Sequence, residues 1–120
     1  MGKESVLQVK SFEFSVLIID AGKFLMDTKK EYILSKQLIR SGTAIGALIK
    51  EGEFAQSKPD FISKLSIALK EANETEYWIL LLKITHYLSE ETANQLLMKN
   101  KELISMLAAS VKTLKNNLTK

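Results

Sequence analysis

The chain has 120 residues, enough for one domain that buries roughly two thirds of its unfolded surface without metal or disulfide staples. Hydrophobic residues at 46% and charged residues at 26% are an ordinary globular balance, while one proline and five glycines disfavour an all-β plan and permit long helices. With no cysteine, disulfides, thiolate nucleophiles and zinc–cysteine sites are excluded, and the net charge of +3 is only a mild bias towards acidic partners.

The first predicted helix runs approximately from Val6 to Asp27. Phe14, Leu17, Ala21 and Phe24 recur at steps of three and four. Val9, Phe12, Val16 and Ile19 form a second apolar strip, which marks Phe12, Val16 and Ile19 as candidate contacts with another subunit. Phe12 to Ile19 also reads as a strand. Thr28-Lys29-Lys30-Glu31 has the form of a capping box, predicting a second helix from there to about Lys50, with Gly52 as its C-cap. Leu34, Leu38, Ser41, Ile45 and Leu48 share one face of it. Gly42 and Gly46 lie inside this helix, where each costs about 1 kcal/mol relative to alanine. Close approach of a neighbouring helix is the expected compensation, so Gly46 should resist bulk.

Ser57-Lys58-Pro59-Asp60 is a strong helix start, combining a capping serine, a first-turn proline and an acid at the positive end. The third helix then places Phe61, Leu65, Ala68, Ala72, Thr75, Ile79 and Leu82 on its core face. The run Tyr77 to Leu82 is apolar around most of the helix, so Trp78 and Leu81 are candidate partner contacts. Ser89-Glu90-Glu91 opens a fourth helix with Leu96, Leu103, Ile104, Leu107, Val111, Leu114 and Leu118 as its core. Short connections predict an all-α, antiparallel up-down-up-down four-helix bundle occupying residues 1–120 as one domain.

Catalytic chemistry finds little support. A di-iron bundle needs two Glu-x-x-His motifs, and the single histidine, His86, is in none. It reads as a helix-end or interface residue. Glu74 and Glu76 point to different sides of a helix. No nucleophile elbow or phosphate-cradling loop occurs. We therefore expect no catalytic residues, no metal, no cofactor, no evident small-molecule substrate and no enzyme. The N-terminus lacks a long apolar run, and the longest unbroken apolar stretch, Trp78 to Leu82, is too short to span a bilayer. A cytoplasmic protein without membrane contact is expected.

Charge is unevenly distributed. From Thr92 to Lys120 there are five lysines and one acid, Glu102. At about 100° per residue, Lys101, Lys112 and Lys115 fall within roughly 60° of one another, while Lys36, Arg40 and Lys50 share the side of the second helix opposite Leu38 and Ile45. These six are candidate nucleic-acid contacts through phosphates. The bland alternative is a solvated face.

Leu34-Ser35-Lys36-Gln37-Leu38-Ile39-Arg40-Ser41, then Ile45, Ile49, Glu51 and Gly52, resembles the core motif of the 23S rRNA-intervening-sequence proteins of bacteria. Ser57, Asp60-Phe61-Ile62, Leu65-Ser66-Ile67-Ala68 and Glu71-Ala72-Asn73-Glu74 continue the resemblance in register. It implies a short antiparallel bundle assembled as a homopentamer, with a related branch of nucleic-acid-binding retroelement accessory proteins. Ala44, Leu48 and Lys50 stand where the usual motif has serine, asparagine and alanine, and Leu48 suits a packed core. The function expected is a non-enzymatic oligomeric scaffold that binds a macromolecule, nucleic acid foremost. The alternatives are a protein-only adaptor using the Trp78 surface and an enzyme with a site between subunits.

Overall fold

Four helices account for nearly all of residues 3–118, the part of the chain that the computed structural model describes: α1 (Lys3–Asp27), α2 (Leu34–Gly52), α3 (Lys58–Ile84) and α4 (Glu90–Leu118). They form a rod of 51 × 24 × 21 Å, as expected for helices rising about 1.5 Å per residue. Each helix packs against its sequence neighbour, α4 returns to α1, and the diagonal pairs α1–α3 and α2–α4 do not touch. Contacts run in opposite sequence directions at each junction. Gly42 meets Ile18 and Gly46 meets Ser11 across α1–α2. Across α2–α3, Arg40 meets Glu74 and Glu51 meets Lys64. Across α3–α4, Ala72 meets Asn100 and Lys83 meets Asn94. The bundle is antiparallel throughout.

Phe12 to Ile19 is helical, so the strand reading is set aside. The buried stripe of α1 is Leu7, Ser11, Phe14, Ile18, Ala21 and Leu25. Leu17 is only half-buried and Phe24 is exposed, so the core axis passes slightly to one side of the strip read from sequence. On α3 the expected face is buried from Leu65 to Leu82. On α4, Leu96, Leu103, Leu107 and Val111 are buried as expected, Ala93 and Asn100 join them, and Leu118 is exposed.

Helix starts follow local chemistry, with one correction. Ser57 Oγ accepts the Asp60 N–H at 3.2 Å, and Asp60 accepts the Gln56 N–H at 3.1 Å, a reciprocal cap. Ser89 Oγ accepts the Thr92 N–H at 3.1 Å. Thr28, however, does not start α2. Lys30 turns through the left-handed region at φ 56°, and Glu31 N–H closes the end of α1 on the Leu25 carbonyl at 2.9 Å. The Glu31 carboxylate then caps α2, accepting N–H groups of Ser35 at 2.8 Å, Leu34 at 3.0 Å and Ile33 at 3.2 Å. A tight reversal between two long helices needs the intervening residues for the turn, which displaces the helix start to Leu34.

Burial works to raise the pKa of Glu31, but the N–H groups of Leu34, Ser35 and Ile33 outweigh it and hold the carboxyl below its ordinary value. A depressed folded-state pKa contributes stability that is complete above the unfolded value and is lost as pH falls through the folded one. Glu31→Ala should lose about 1–2 kcal/mol at neutral pH. The loss should shrink in acid, as urea unfolding of both proteins at neutral and acidic pH would show. An equal loss at both would remove the charged cap.

At the end of α3, Tyr87 N–H bonds the Leu82 carbonyl at 3.0 Å and His86 N–H the Lys83 carbonyl at 3.1 Å. This is a Schellman closure with His86 left-handed at φ 65°. His86 is thus the helix-end residue expected. Gly52 ends α2 but has no positive φ, so it is not a left-handed cap. Its hydrogen makes room for the Phe61 ring, which a Cβ would approach to 3.1 Å.

Candidate functional site

The six predicted cations do not share one surface. Lys36, Arg40 and Lys50 lie on α2, and Lys101, Lys112 and Lys115 on α4, the diagonally opposed helix. Arg40 is engaged: its guanidinium pairs with Glu74 and with Glu71 at 3.3 Å, and its Nε donates to Gln37 at 3.1 Å. Lys50 pairs with Glu53 at 3.2 Å and lies 5.9 Å from the Phe54 ring centroid. Among the described residues, Lys36, Lys101, Lys112 and Lys115 are exposed and make no salt bridge. The charge free to meet a polyanion is therefore concentrated on α4.

The motif that carries the sequence resemblance is drawn together inside the subunit. Beside the Arg40 pairs, Thr75 Oγ1 donates to Ser41 Oγ at 3.0 Å, and Trp78 Nε1 donates to Glu74 at 2.9 Å. Its polar residues fasten α2 to α3. Half-exposed ion pairs of this kind contribute modestly to stability, but a bidentate arginine fixes the mutual register of the two helices.

Apolar surface is concentrated on the other diagonal. On α1, Val9, Phe12, Val16 and Ile19 form a continuous exposed strip, with Phe12 70% exposed. On α3, Trp78 and Leu81 are half-buried, and Trp78 packs against the core. The exposed face of α3 is instead Tyr77, Leu80 and Ile84, the last 74% exposed. Their spacing of three and four was legible in the sequence, but indole size drew attention to Trp78. Glu74 at i−4 holds the indole N–H and turns the ring inward, while Tyr77 packs edge-on to it with centroids 5.1 Å apart. α1 and α3 do not touch, so these two apolar faces look outward on opposite sides.

This arrangement defines an antiparallel four-helix bundle whose motif residues are internal fastenings and whose outer faces alternate between apolar and charged. The chain belongs to the 23S rRNA-intervening sequence protein family, whose model matches residues 3–109. It is similar to a solved protein of unknown function from the S23 ribosomal protein family of Bacteroides thetaiotaomicron VPI-5482. The two share 49% identity over 92% of this chain and 99% of the other, with a TM-score of 0.90. No curated protein matches the chain. Among the described residues, no helix is long and apolar enough to cross a membrane.

Proposed function

We propose that the protein is a non-enzymatic scaffold that assembles into a closed ring of identical subunits and binds nucleic acid along a repeated lysine stripe. The observation carrying this reading is the pair of unlike apolar faces on diagonally opposed helices. A surface used twice by a two-fold pair would be one self-complementary patch. Two different faces on opposite sides instead favour a head-to-tail contact, α1 of one subunit against α3 of the next, which closes into a ring when the rotation permits. Five subunits is the number the resemblance suggests. Such an assembly leaves the outer face of α4 free, and Lys101, Lys112 and Lys115 recur around it. Binding would be weak per subunit and strengthened by repetition. It would tolerate sequence, because lysines contact phosphates.

Light scattering coupled to size exclusion, with gel-shift titrations against RNA and DNA, tests both halves. The protein should be oligomeric at micromolar concentration, and Phe12→Glu or Leu80→Glu should each yield monomer. Binding should fall steeply with salt as counterions are released. The triple change of Lys101, Lys112 and Lys115 to glutamine should abolish it, while Arg40→Gln should leave it intact. A monomeric parent would sink the ring. Binding indifferent to the triple change, or none at all, would leave a protein-only adaptor, docking through Tyr77, Leu80 and Ile84 beside Trp78, as the better reading.

A further inference from the structure

At the end of the bundle where α2 turns into α3, the four helices leave a cavity of about 130 Å³. Leu7 of α1, Ile49 of α2, Leu65 of α3 and Leu114 of α4 supply apolar walls, one from each helix. An apolar cavity of about 150 Å³ is large enough to hold benzene, so this one has room for a fragment-sized group. Its polar groups are not arbitrary. The side chain of Gln8 lines it, and the amide nitrogen of Gln8 is buried without any hydrogen-bond partner. A buried donor left unmade costs free energy, so a bound acceptor would recover it. Glu53 stands at the same wall, its carboxyl held below its ordinary value first by the nearby Gln8 amide, which stays beyond hydrogen-bond distance, and then by Lys50. The site thus offers an unused donor, an ionised acceptor and an apolar recess.

We infer that this cavity is a binding site for a small neutral carboxamide, its alkyl tail between Leu7, Ile49, Leu65 and Leu114 and its amide bridging Gln8 and Glu53. The carbonyl oxygen accepts from Gln8 Nε2, and the amide N–H donates to the Glu53 carboxylate. A tail of about four carbons fits the volume. A carboxylate of equal length is disfavoured, because it brings a negative charge to Glu53 and has no proton to donate. The site lies at the end of the rod, separate from the lysine stripe and from both outward apolar faces, so it stands or falls independently of ring assembly.

Methyl-resolved NMR titration of the full chain with pentanamide tests this. Saturable shifts are expected at Leu7, Ile49, Leu65 and Leu114, with a dissociation constant on the order of millimolar, as suits so small a ligand. Pentanoate at neutral pH should bind at least about tenfold more weakly. Gln8→Leu should weaken pentanamide about five- to tenfold while leaving benzene binding unchanged, which separates loss of the donor from loss of the cavity. Ser110→Leu, which directs bulk into the cavity from α4, should abolish both ligands. Should Ser110→Leu fail to fold, the Gln8→Leu comparison decides alone. No saturable shifts up to about 50 mM pentanamide, equal binding of pentanoate, or undiminished pentanamide binding by Gln8→Leu would each overturn the assignment.

Discussion

Gly42→Leu should destabilise the bundle by about 3 kcal/mol or more, the upper end for overpacking a close helix contact. A Cβ at Gly42 would stand 2.8 Å from both Cγ1 and Cγ2 of Ile18, which is fully buried in α1. A β-branched side chain has little χ1 freedom with which to yield, so the strain must pass to the α1–α2 spacing itself. Even Gly42→Ala should lose stability on balance, although alanine gains about 1 kcal/mol of helix propensity. Gly46 makes the contrast. Its Cβ would lie 3.4 Å from the Ser11 carbonyl oxygen and from the Ser11 and Ser15 hydroxyls, near ordinary contact. Gly46→Ala should be neutral or mildly stabilising, and Gly46→Leu should lose less than Gly42→Leu, because its side chain can run into the groove beside Phe12 and Ala47. Urea unfolding of the four variants ranks them. If the two leucine variants lose equal stability, the seam is not closest at Gly42. Both glycines do face α1, as their cost inside a helix implies, but the tighter contact is one helical turn from the position the sequence singled out.

Asn100→Asp should cost about 3–5 kcal/mol at neutral pH, the scale of an uncompensated buried charge. Asn100 is fully buried and its Nδ2 donates to the Ala72 carbonyl at 2.8 Å, while its Oδ1 has no partner. Aspartate would set a carboxylate against that carbonyl with nothing to offset it. Burial raises the folded-state pKa above the unfolded value of about 3.9. The penalty is therefore absent below that pH and grows by about 1.36 kcal/mol per unit until the folded pKa is reached, so acid should rescue the variant. A loss independent of pH would mean that the carboxylate reaches water. Asn100→Leu provides the converse, since removing a half-satisfied amide should be neutral or stabilising. A large loss there would show that the amide's bond to Ala72 is worth more than its orphaned oxygen costs.

Local rules made the fold legible. The three-and-four spacing of apolar residues specified four helices, the serines at 57 and 89 marked two of their starts, and short connections dictated antiparallel neighbours. These signals act between residues a few positions apart and are present before the chain collapses. The ordered motif from Leu34 to Glu74 identified the family for a related reason, since its polar members are those that must meet across α2–α3.

The tertiary structure alone decided what depends on distances across the bundle. Helix periodicity put Arg40 among the outward cations, but only α3 beside it shows its charge spent on Glu71 and Glu74. The size of Trp78 suggested a partner surface, but its hydrogen bond to Glu74 turns it inward and leaves Tyr77, Leu80 and Ile84 outside. Thr28 and Glu31 suited a shared cap, but the space between two packed helices gave the cap to Glu31 alone. The cavity beside Gln8 is formed by residues from all four helices, spread from position 7 to 114. A periodic pattern determines which side of a helix a residue occupies. Which partner then lies opposite, and whether it satisfies a charge or leaves a donor unmade, is set only when the helices pack.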